Sequence, residues 1–356
     1  MMRIHIDSKL IEDGYVNKIK HPTDDLYIYN YTAKAQYENK WLEYPEIRLC
    51  RGLVLNSDNF IVARPFEKFH NIEEHSEKSI VGALPNYRSF EVYDKLDGSL
   101  GISYVHSGGV GIATRGSFSS DQAIWATQFL KTNHTLFTQD HPEDLTFLFE
   151  IIYKQNKIVV DYDFKGLVLL SIMRKDGSEL QRPLIEKYAE RYKFKVVEKF
   201  DFLEDFSDIR NIVKRENAEG FVVKFDNGLR VKLKYNEYVR LHKIVTGVNT
   251  KTIWEMLKED KDFGEILNLV PDEFYNWVKI QKETISQNFE KIMLASHGKK
   301  SQIANLSRKE QAEVILRECP EISGVIFSLL DENTAKAKEI SWKLVKPKTE
   351  KPYREE

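Results

Sequence analysis

Two stretches of this chain bring together residue types that can transfer a nucleotide. The first is Glu91-Val92-Tyr93-Asp94-Lys95-Leu96-Asp97-Gly98-Ser99-Leu100, with Lys-x-Asp-Gly-Ser at the end of a β-prone run. An unprotonated lysine amine can attack the α-phosphorus of a nucleotide. With a reference pKa of about 10.4, however, an exposed lysine is almost wholly charged at neutral pH. Nearby cations, bound metal among them, depress that pKa and supply the nucleophile. Asp97 can orient Lys95 or hold a metal-bound water, and Gly98 can let backbone approach a nucleotide. A strand followed by an Asp-Gly turn would read the same way without chemistry.

The second stretch runs Glu219-Gly220-Phe221-Val222-Val223-Lys224-Phe225-Asp226, then Asn227-Gly228, then Leu229-Arg230-Val231-Lys232-Leu233-Lys234. Asn-Gly between alternating strands signals a two-residue hairpin turn. That turn pairs Asp226 with Leu229, Val223 with Lys232, and Phe221 with Lys234. Lys232, Lys234 and Glu219 then share one face, while Val222, Val231 and Leu233 take the core face. Two cations and a carboxylate can hold a triphosphate and a metal-bound water. Alternating lysines more commonly mark solvated surface.

Two further segments complete the candidate set. Thr146-Phe147-Leu148-Phe149-Glu150-Ile151-Ile152 places a carboxylate in an apolar strand, which is costly unless Glu150 accepts hydrogen bonds. A ribose hydroxyl or a structural salt bridge would each serve. Arg51-Gly52-Leu53-Val54-Leu55 and Arg64-Pro65-Phe66-Glu67-Lys68-Phe69-His70-Asn71 add cations that can meet phosphate or form ion pairs.

Positioning these groups needs strands, and short branched or aromatic runs supply them at 26–31, 51–55, 90–95, 146–152, 157–161 and 166–172. Helices are expected at 119–131 and 184–192. Beyond residue 250 the periodicity becomes helical: Phe274, Val278, Ile285, Phe289 and Ile292 recur at helix spacing. Ser307 and Glu310 form a capping box ahead of 314–316, Pro320 is a stop, and 325–330 and 335–344 read as helices. The expected organisation is an α+β domain at 1–247, an all-helical domain at 248–345 and a mobile tail at 346–356.

Composition narrows the class. The 356 residues are 42% hydrophobic and 30% charged, with no apolar run near the ~20 residues of a membrane span. Met1 to Asp7 is too short and polar for a signal-peptide core. Cys50 and Cys319 read as reduced thiols in a cytosolic protein. The net charge of −2 denies nucleic acid a basic overall field, so binding would need a local cationic groove. The nine histidines show no zinc-type spacing with cysteine, and no structural metal site is expected.

The order of the segments is more specific than any one of them. Lys95-Leu96-Asp97-Gly98-Ser99, Phe149-Glu150, 167–172, Glu219-Gly220-Phe221-Val222 and Lys232-Leu233-Lys234 follow motifs I, III, IIIa, IV and V. These define the covalent nucleotidyltransferases: DNA ligases, RNA ligases and mRNA capping enzymes. Within that group the chain resembles the phage-type ATP-dependent RNA ligase 1 family. Tyr27-Ile28-Tyr29-Asn30-Tyr31, Cys50-Arg51-Gly52, Thr114-Arg115-Gly116-Ser117, the Arg64–Phe69 run (64–69) and residues 232–242 carry the finer match. It covers residues ~25–245 well and the helical part more weakly.

The resemblance implies a nucleotidyltransferase (ATP-grasp-like ligase) domain of antiparallel sheets with flanking helices, plus an all-α C-terminal domain. It implies ATP as substrate, with Mg²⁺ or Mn²⁺. Lys95 would be the adenylylated nucleophile. Tyr29, Arg51 and Lys68 would line the ATP site and Glu150 would bind ribose. Glu219 would support metal through water, Lys232 and Lys234 would contact phosphate, and Tyr238 would lie close by. Arg115 stands where the family usually has lysine, which leaves its role open. His70 replaces a phenylalanine, and Asp260 and Asp262 match an acidic pair only loosely. The implied partners are RNA with 5′-phosphate and 3′-hydroxyl ends, tRNA included, and an end-healing kinase/phosphatase. The implied setting is a monomer in the cytoplasm of a phage-infected or bacterial cell. The helical domain would help choose RNA, with Lys299-Lys300 and Arg308-Lys309 as phosphate contacts. Two alternatives stand beside this: a non-catalytic RNA-binding protein on the same fold, and a DNA ligase or capping enzyme. The last two normally carry a C-terminal OB-fold.

Overall fold

The computed structural model describes residues 2–75, 89–200, 215–238 and 248–347, except positions 42, 157, 216, 237, 263 and 265–274. The chain forms two compact units, Met1–Val245 and Thr246–Glu356.

The described residues of the first unit are built on three sheets. The N-terminal sheet has the order β1 (Val16–Lys20), β2 (Leu26–Tyr31), β3 (Arg51–Asn56), β4 (Ile61–Ala63). The third sheet in space collects strands from distant parts of the chain: β12 (Lys199–Phe200), β6 (Phe90–Lys95), β13 (Gly220–Phe225), β14 (Arg230–Lys234) and β5 (His70–Asn71). Between them in sequence lies a sheet ordered β11 (Lys195–Val196), β10 (Gly166–Arg174), β9 (Leu145–Ile152), β7 (Ser99–His106), β8 (Gly109–Ala113). Most pairs are antiparallel as expected, but β10 with β11 and β14 with β5 are parallel. The first parallel pair follows from the helix Arg182–Tyr192, which returns the chain beside β10 in the same direction.

The helices form where caps and spacing agree. Ser120 accepts the Ala123 N–H at 3.2 Å, and Ala123, Ala126 and Leu130 make the buried stripe of helix Asp121–Asn133. The main core joins that stripe to Phe147, Phe149 and Ile151 of β9 and Leu167 and Leu169 of β10.

Two sequence expectations are corrected here. The hairpin loop has three residues, Asp226-Asn227-Gly228, rather than two. Phe225 N–H donates to Leu229 O at 2.8 Å, Gly228 N–H donates to Phe225 O at 2.9 Å, and Gly228 has φ +85°. This is a turn closed by a left-handed glycine. Lys232 therefore opposes Val222, and Lys234 opposes Gly220. A one-residue shift exchanges the faces: Phe221 and Val223 enter the core with Val231, and Val222 joins the lysine face. The second correction is at 157–161, whose described residues, 158–161, form no strand. The N–H groups of Val159 and Val160 both donate to Asp97 Oδ2 at 2.8 Å, and Asp161 N–H donates to Asn217 Oδ1 at 2.8 Å. Side chains have taken the donors that a ladder would need.

The second unit is helical throughout its described residues, with helices Thr250–Lys258, Tyr275–Gln302, Arg308–Glu318, Ser323–Leu330 and Thr334–Leu344. Ser307 and Glu310 form the expected reciprocal cap. Pro320 opens a single turn of 3-10 helix, Pro320–Ile322, after the preceding helix has ended. Among the described residues no helix is long and apolar enough to cross a membrane. The expected mobile tail falls mostly at 348–356, outside the described residues, as do Phe274, Glu237 and positions 239–242.

Candidate active site

The site is assembled on one face of the β6–β13–β14 ribbon. Lys95 ends β6 and Lys234 ends β14. Both oppose Gly220, which starts the strand between them. Gly220 has φ +148°, and a Cβ there would lie 2.1 Å from Leu233 O. The position thus requires glycine. It also turns the chain so that Glu219, only 4% exposed, reaches both lysines. Its Oε1 is 2.6 Å from Lys95 Nζ and 3.4 Å from Lys234 Nζ.

Glu150 lies on the face of β9 that it shares with Leu148 and Ile152, opposite Leu100 of β7. Burial pushes its carboxyl up to about 8; Glu219 and Asp97 add to that rise, while Lys95 and Arg51 oppose it. Its apolar strand neighbours are the sequence-level cause. Gly98 lies against it: a Cβ would meet Ile151 O at 2.6 Å and Glu150 Cγ at 3.1 Å. The close approach that Gly98 permits is therefore by β9.

Asp97 has more structural work than its sequence position suggests. Its carboxylate is buried. It accepts the two N–H groups of Val159 and Val160 and the Tyr238 hydroxyl at 2.8 Å, while its own N–H donates to Tyr162 Oη at 2.7 Å. Tyr238 also lies under Lys234, with Nζ 5.6 Å from the ring centroid. Asp97 and Tyr238 thus brace the lysine row, and Asp97 is committed to backbone rather than to Lys95.

The remaining cations form two groups around aromatic rings. Phe69 meets both Arg51, at 5.4 Å from its ring centroid, and Lys232, at 5.8 Å. Tyr31 lies between Arg115, at 5.2 Å, and Lys68, at 5.7 Å, and the Arg115 guanidinium donates to its hydroxyl at 3.4 Å. Gly52, at φ +95°, makes this possible, because a Cβ would meet Ile102 at 2.3 Å and Arg115 O at 3.2 Å. Burial holds His70 below the ordinary imidazole range, with Lys68 and Lys232 adding to the effect and Glu74 opposing it.

The structure therefore brings Lys95, Asp97, Glu150, Glu219, Lys234 and Tyr238 into one connected set, with Arg51 and Lys232 joined through Phe69. Tyr29 differs. It is buried in the core of the N-terminal sheet with Trp41, Leu53 and Leu55. Tyr31, two residues on along the same strand face and in the same core, is the tyrosine that meets Arg115 and Lys68, whereas Tyr29 meets Lys18 at 5.6 Å. Asp260 and Asp262 are exposed in the second unit. There, Lys299 meets Glu318 at 2.6 Å, Lys300 donates to Leu329 O at 2.7 Å, and Arg308 pairs with Asp331.

The sequence model of one family, RNA ligase of the phage T4 ligase 1 type, matches residues 49–239, which contain all of this set. The chain belongs to the phage-type RNA ligase 1 family. Its relatives include a protein described as a bifunctional polynucleotide kinase/RNA ligase from Autographa californica nuclear polyhedrosis virus. That protein is 27% identical over 75% of this chain and 42% of its own length. The chain thus spans less than half of that relative. A protein described as an RNA ligase from Thermovibrio ammonificans is also 27% identical, over 75% of this chain and 69% of its own. Among solved structures, an archaeal ATP-dependent RNA ligase aligns over 93% of this chain and 77% of that one, at 14% identity and a TM-score of 0.47.

Proposed function

We propose that this family member is an ATP-dependent RNA ligase of the single-stranded type that carries AMP on Lys95. The observation that supports the reading best is the Lys95–Glu219–Lys234 cluster on one sheet face. An amine, a carboxylate and a second cation converge there, the groups that attack on a triphosphate calls for. In the proposed sequence Lys95 Nζ attacks the α-phosphorus of ATP and pyrophosphate leaves, giving lysyl-AMP. An RNA 5′-phosphate oxygen then attacks that phosphorus and releases Lys95. Finally a 3′-hydroxyl attacks the activated 5′-phosphate and AMP departs.

Each step builds charge on non-bridging oxygens, which fixed cations stabilise. Lys234, Lys232 and Arg51 supply that charge, and Lys68 and Arg115 extend it. Glu150 faces ribose. As a neutral acid it can both donate to and accept from a hydroxyl, and as a carboxylate it accepts. A divalent ion, Mg²⁺ or Mn²⁺, fits the donor chemistry at Glu219, because such ions take one or two carboxylates and complete their shell with water and substrate phosphate. When bound it would neutralise phosphate charge. Glu219 would hold it through water, and Asp97, committed to Val159, Val160 and Tyr238, would not.

The helical unit is proposed to contribute to RNA choice, and tRNA-like ends are the proposed substrate class. The viral relative's description as a kinase/ligase supports an end-healing partner. A cytoplasmic setting and a monomeric state belong to the same reading. The test is sealing of a 5′-phosphorylated single-stranded RNA against a nicked DNA duplex, each with ATP or GTP. Joining of the RNA alone, with ATP alone, is the expected result. Sealing of only the nicked DNA would favour the DNA ligase reading, and no joining of either would favour the non-catalytic RNA-binding reading.

A further inference from the structure

A second convergence of ligating groups lies at the other end of β7 from Ser99, about 23 Å along the strand. His21 directly follows β1, Asp24 precedes β2, and His106 ends β7. One nitrogen of each histidine and one carboxylate oxygen lie within 4.8 Å of one another. His21 Nδ1 is 3.4 Å from Asp24 Oδ2, and His106 Nδ1 is 3.7 Å from the same oxygen.

The neighbours of these atoms fix what each can offer. His21 Nδ1 accepts the N–H groups of Asp24, at 3.1 Å, and Thr23, at 3.3 Å. It therefore bears a lone pair, and the ring proton sits on Nε2, 3.1 Å from Tyr104 Oη. His106 Nδ1 accepts the Gly108 N–H at 3.2 Å and also bears a lone pair. Asp24 Oδ2 accepts the Thr23 hydroxyl at 2.6 Å, and Oδ1 accepts the Ser107 N–H at 2.8 Å. Three acceptor atoms thus converge, each taking a hydrogen bond only from a local N–H or hydroxyl that a cation would displace. Three convergent acceptors, one of them an anion, make a site of the kind that a divalent cation fills.

The spacing says which cation. With bonds of roughly 2.0–2.1 Å, tetrahedral ligand atoms stand about 3.4 Å apart. The two separations to Asp24 are at and slightly above that edge, and the two imidazole nitrogens lie within 4.8 Å of each other, so the three ligands would draw in on binding. Two imidazoles with one carboxylate suit zinc and its neighbours in the first transition row better than magnesium. The rings are held in place by packing: His21 meets Phe118 edge-on at 4.8 Å, and Tyr104 lies 5.4 Å from His106. The backbone N–H contacts to the two Nδ1 atoms are long, and metal bonds would replace them at the same lone pairs.

We propose that His21, Asp24 and His106 bind one Zn²⁺-type divalent ion, separate from the catalytic metal, that ties the β1–β2 turn to the β7–β8 hairpin. Asp24 and His106 are 13% and 16% exposed in their side chains, so a water can complete the fourth position. The ion's role is structural: it joins segments more than eighty residues apart in sequence through three side chains.

The test uses the full chain stripped with chelator, titrated with Zn²⁺ by calorimetry and with Co²⁺ by visible absorption. One equivalent of Zn²⁺, the absorption of a low-coordinate Co²⁺ site and a rise in melting temperature with Zn²⁺ are expected. His106→Ala and Asp24→Asn should each weaken binding by at least the roughly 10–100-fold that a supporting partner costs, and should remove the thermal effect. Glu219→Gln should leave all three readouts in place. Absence of Zn²⁺ binding would overturn the proposal. So would binding that survives both variants, or binding lost in Glu219→Gln, which would put the ion in the catalytic cleft. If His106→Ala does not fold, the near-isosteric Asp24→Asn carries the test.

Discussion

Lys95–Glu219 and Lys299–Glu318 are lysine–glutamate pairs with the same 2.6 Å separation and opposite settings. Lys95–Glu219 lies on the cationic face of the third sheet, with the carboxylate almost fully buried. Lys299–Glu318 lies on the helical unit, with the carboxylate 41% exposed. At Glu318, hydrogen bonds from Lys299 and then Arg317 draw the carboxyl down to about 2, yet water screens the pair and holds little in place. At Glu219 the same contact is backed by a second lysine, by a glycine that admits no side chain, and by strands on both sides. Distance alone does not separate a buried ion pair at a candidate site from a solvated one. Burial and the number of elements that converge on it do.

The comparison can be tested from its strongest consequence downward. Glu219→Gln keeps the shape but removes the charge that both lysines face. It should slow adenylylation by about a hundredfold or more, read as the rate of label transfer from ATP to protein. Glu318→Gln should leave that rate unchanged. Equal effects from the two would break the comparison. Gly220→Ala forces a Cβ against Leu233 O at an unfavourable φ, and should cost roughly 2–5 kcal/mol of stability in urea unfolding. A neutral result would mean that the sheet does not close on Glu219 as described.

A third test uses pH. The folded value of Glu150, about 8, lies above its ordinary 4.5, so the folded state binds more protons between those values. Stability without ligand is therefore fully present below about 4.5 and declines as pH rises towards 8. Glu150→Gln should flatten that slope, and an unchanged slope would place the titration elsewhere. The smallest effect is expected at the surface pair. Glu318→Ala should leave the melting temperature unchanged within error, at low and at high salt.

Much of this was legible in the sequence, for physical reasons that can be named. Lys95, Glu150, Lys232 and Lys234 sit on strands whose composition shows through directly, Glu219 stands just before the strand that Gly220 opens, and the helical unit announces itself by its spacing and its Ser307–Glu310 cap. Three features were not legible. The hairpin register hinged on whether Asp226 belongs to the strand or the loop, and one residue moved Phe221 and Val222 to opposite faces. The run 157–161 has strand composition, but Asp97, some sixty residues away, claims its donors. Tyr29 and Tyr31 share a strand face, so alternation could not show which would meet Arg115 and Lys68. The His21–Asp24–His106 convergence was invisible for a related reason. Zinc-type spacing is a local pattern, and these ligands meet only once β1, β2 and β7 are folded.

The measurement that bears most directly on the central claim is incubation of the purified protein with ATP labelled in the α-phosphate and Mg²⁺, followed by denaturing electrophoresis. A pyrophosphate pretreatment first clears any AMP already carried. A labelled protein band that GTP does not give, and that Lys95→Ala abolishes, is the expected result. Label of undiminished intensity in Lys95→Ala, or none in the pretreated parent protein, would contradict the account.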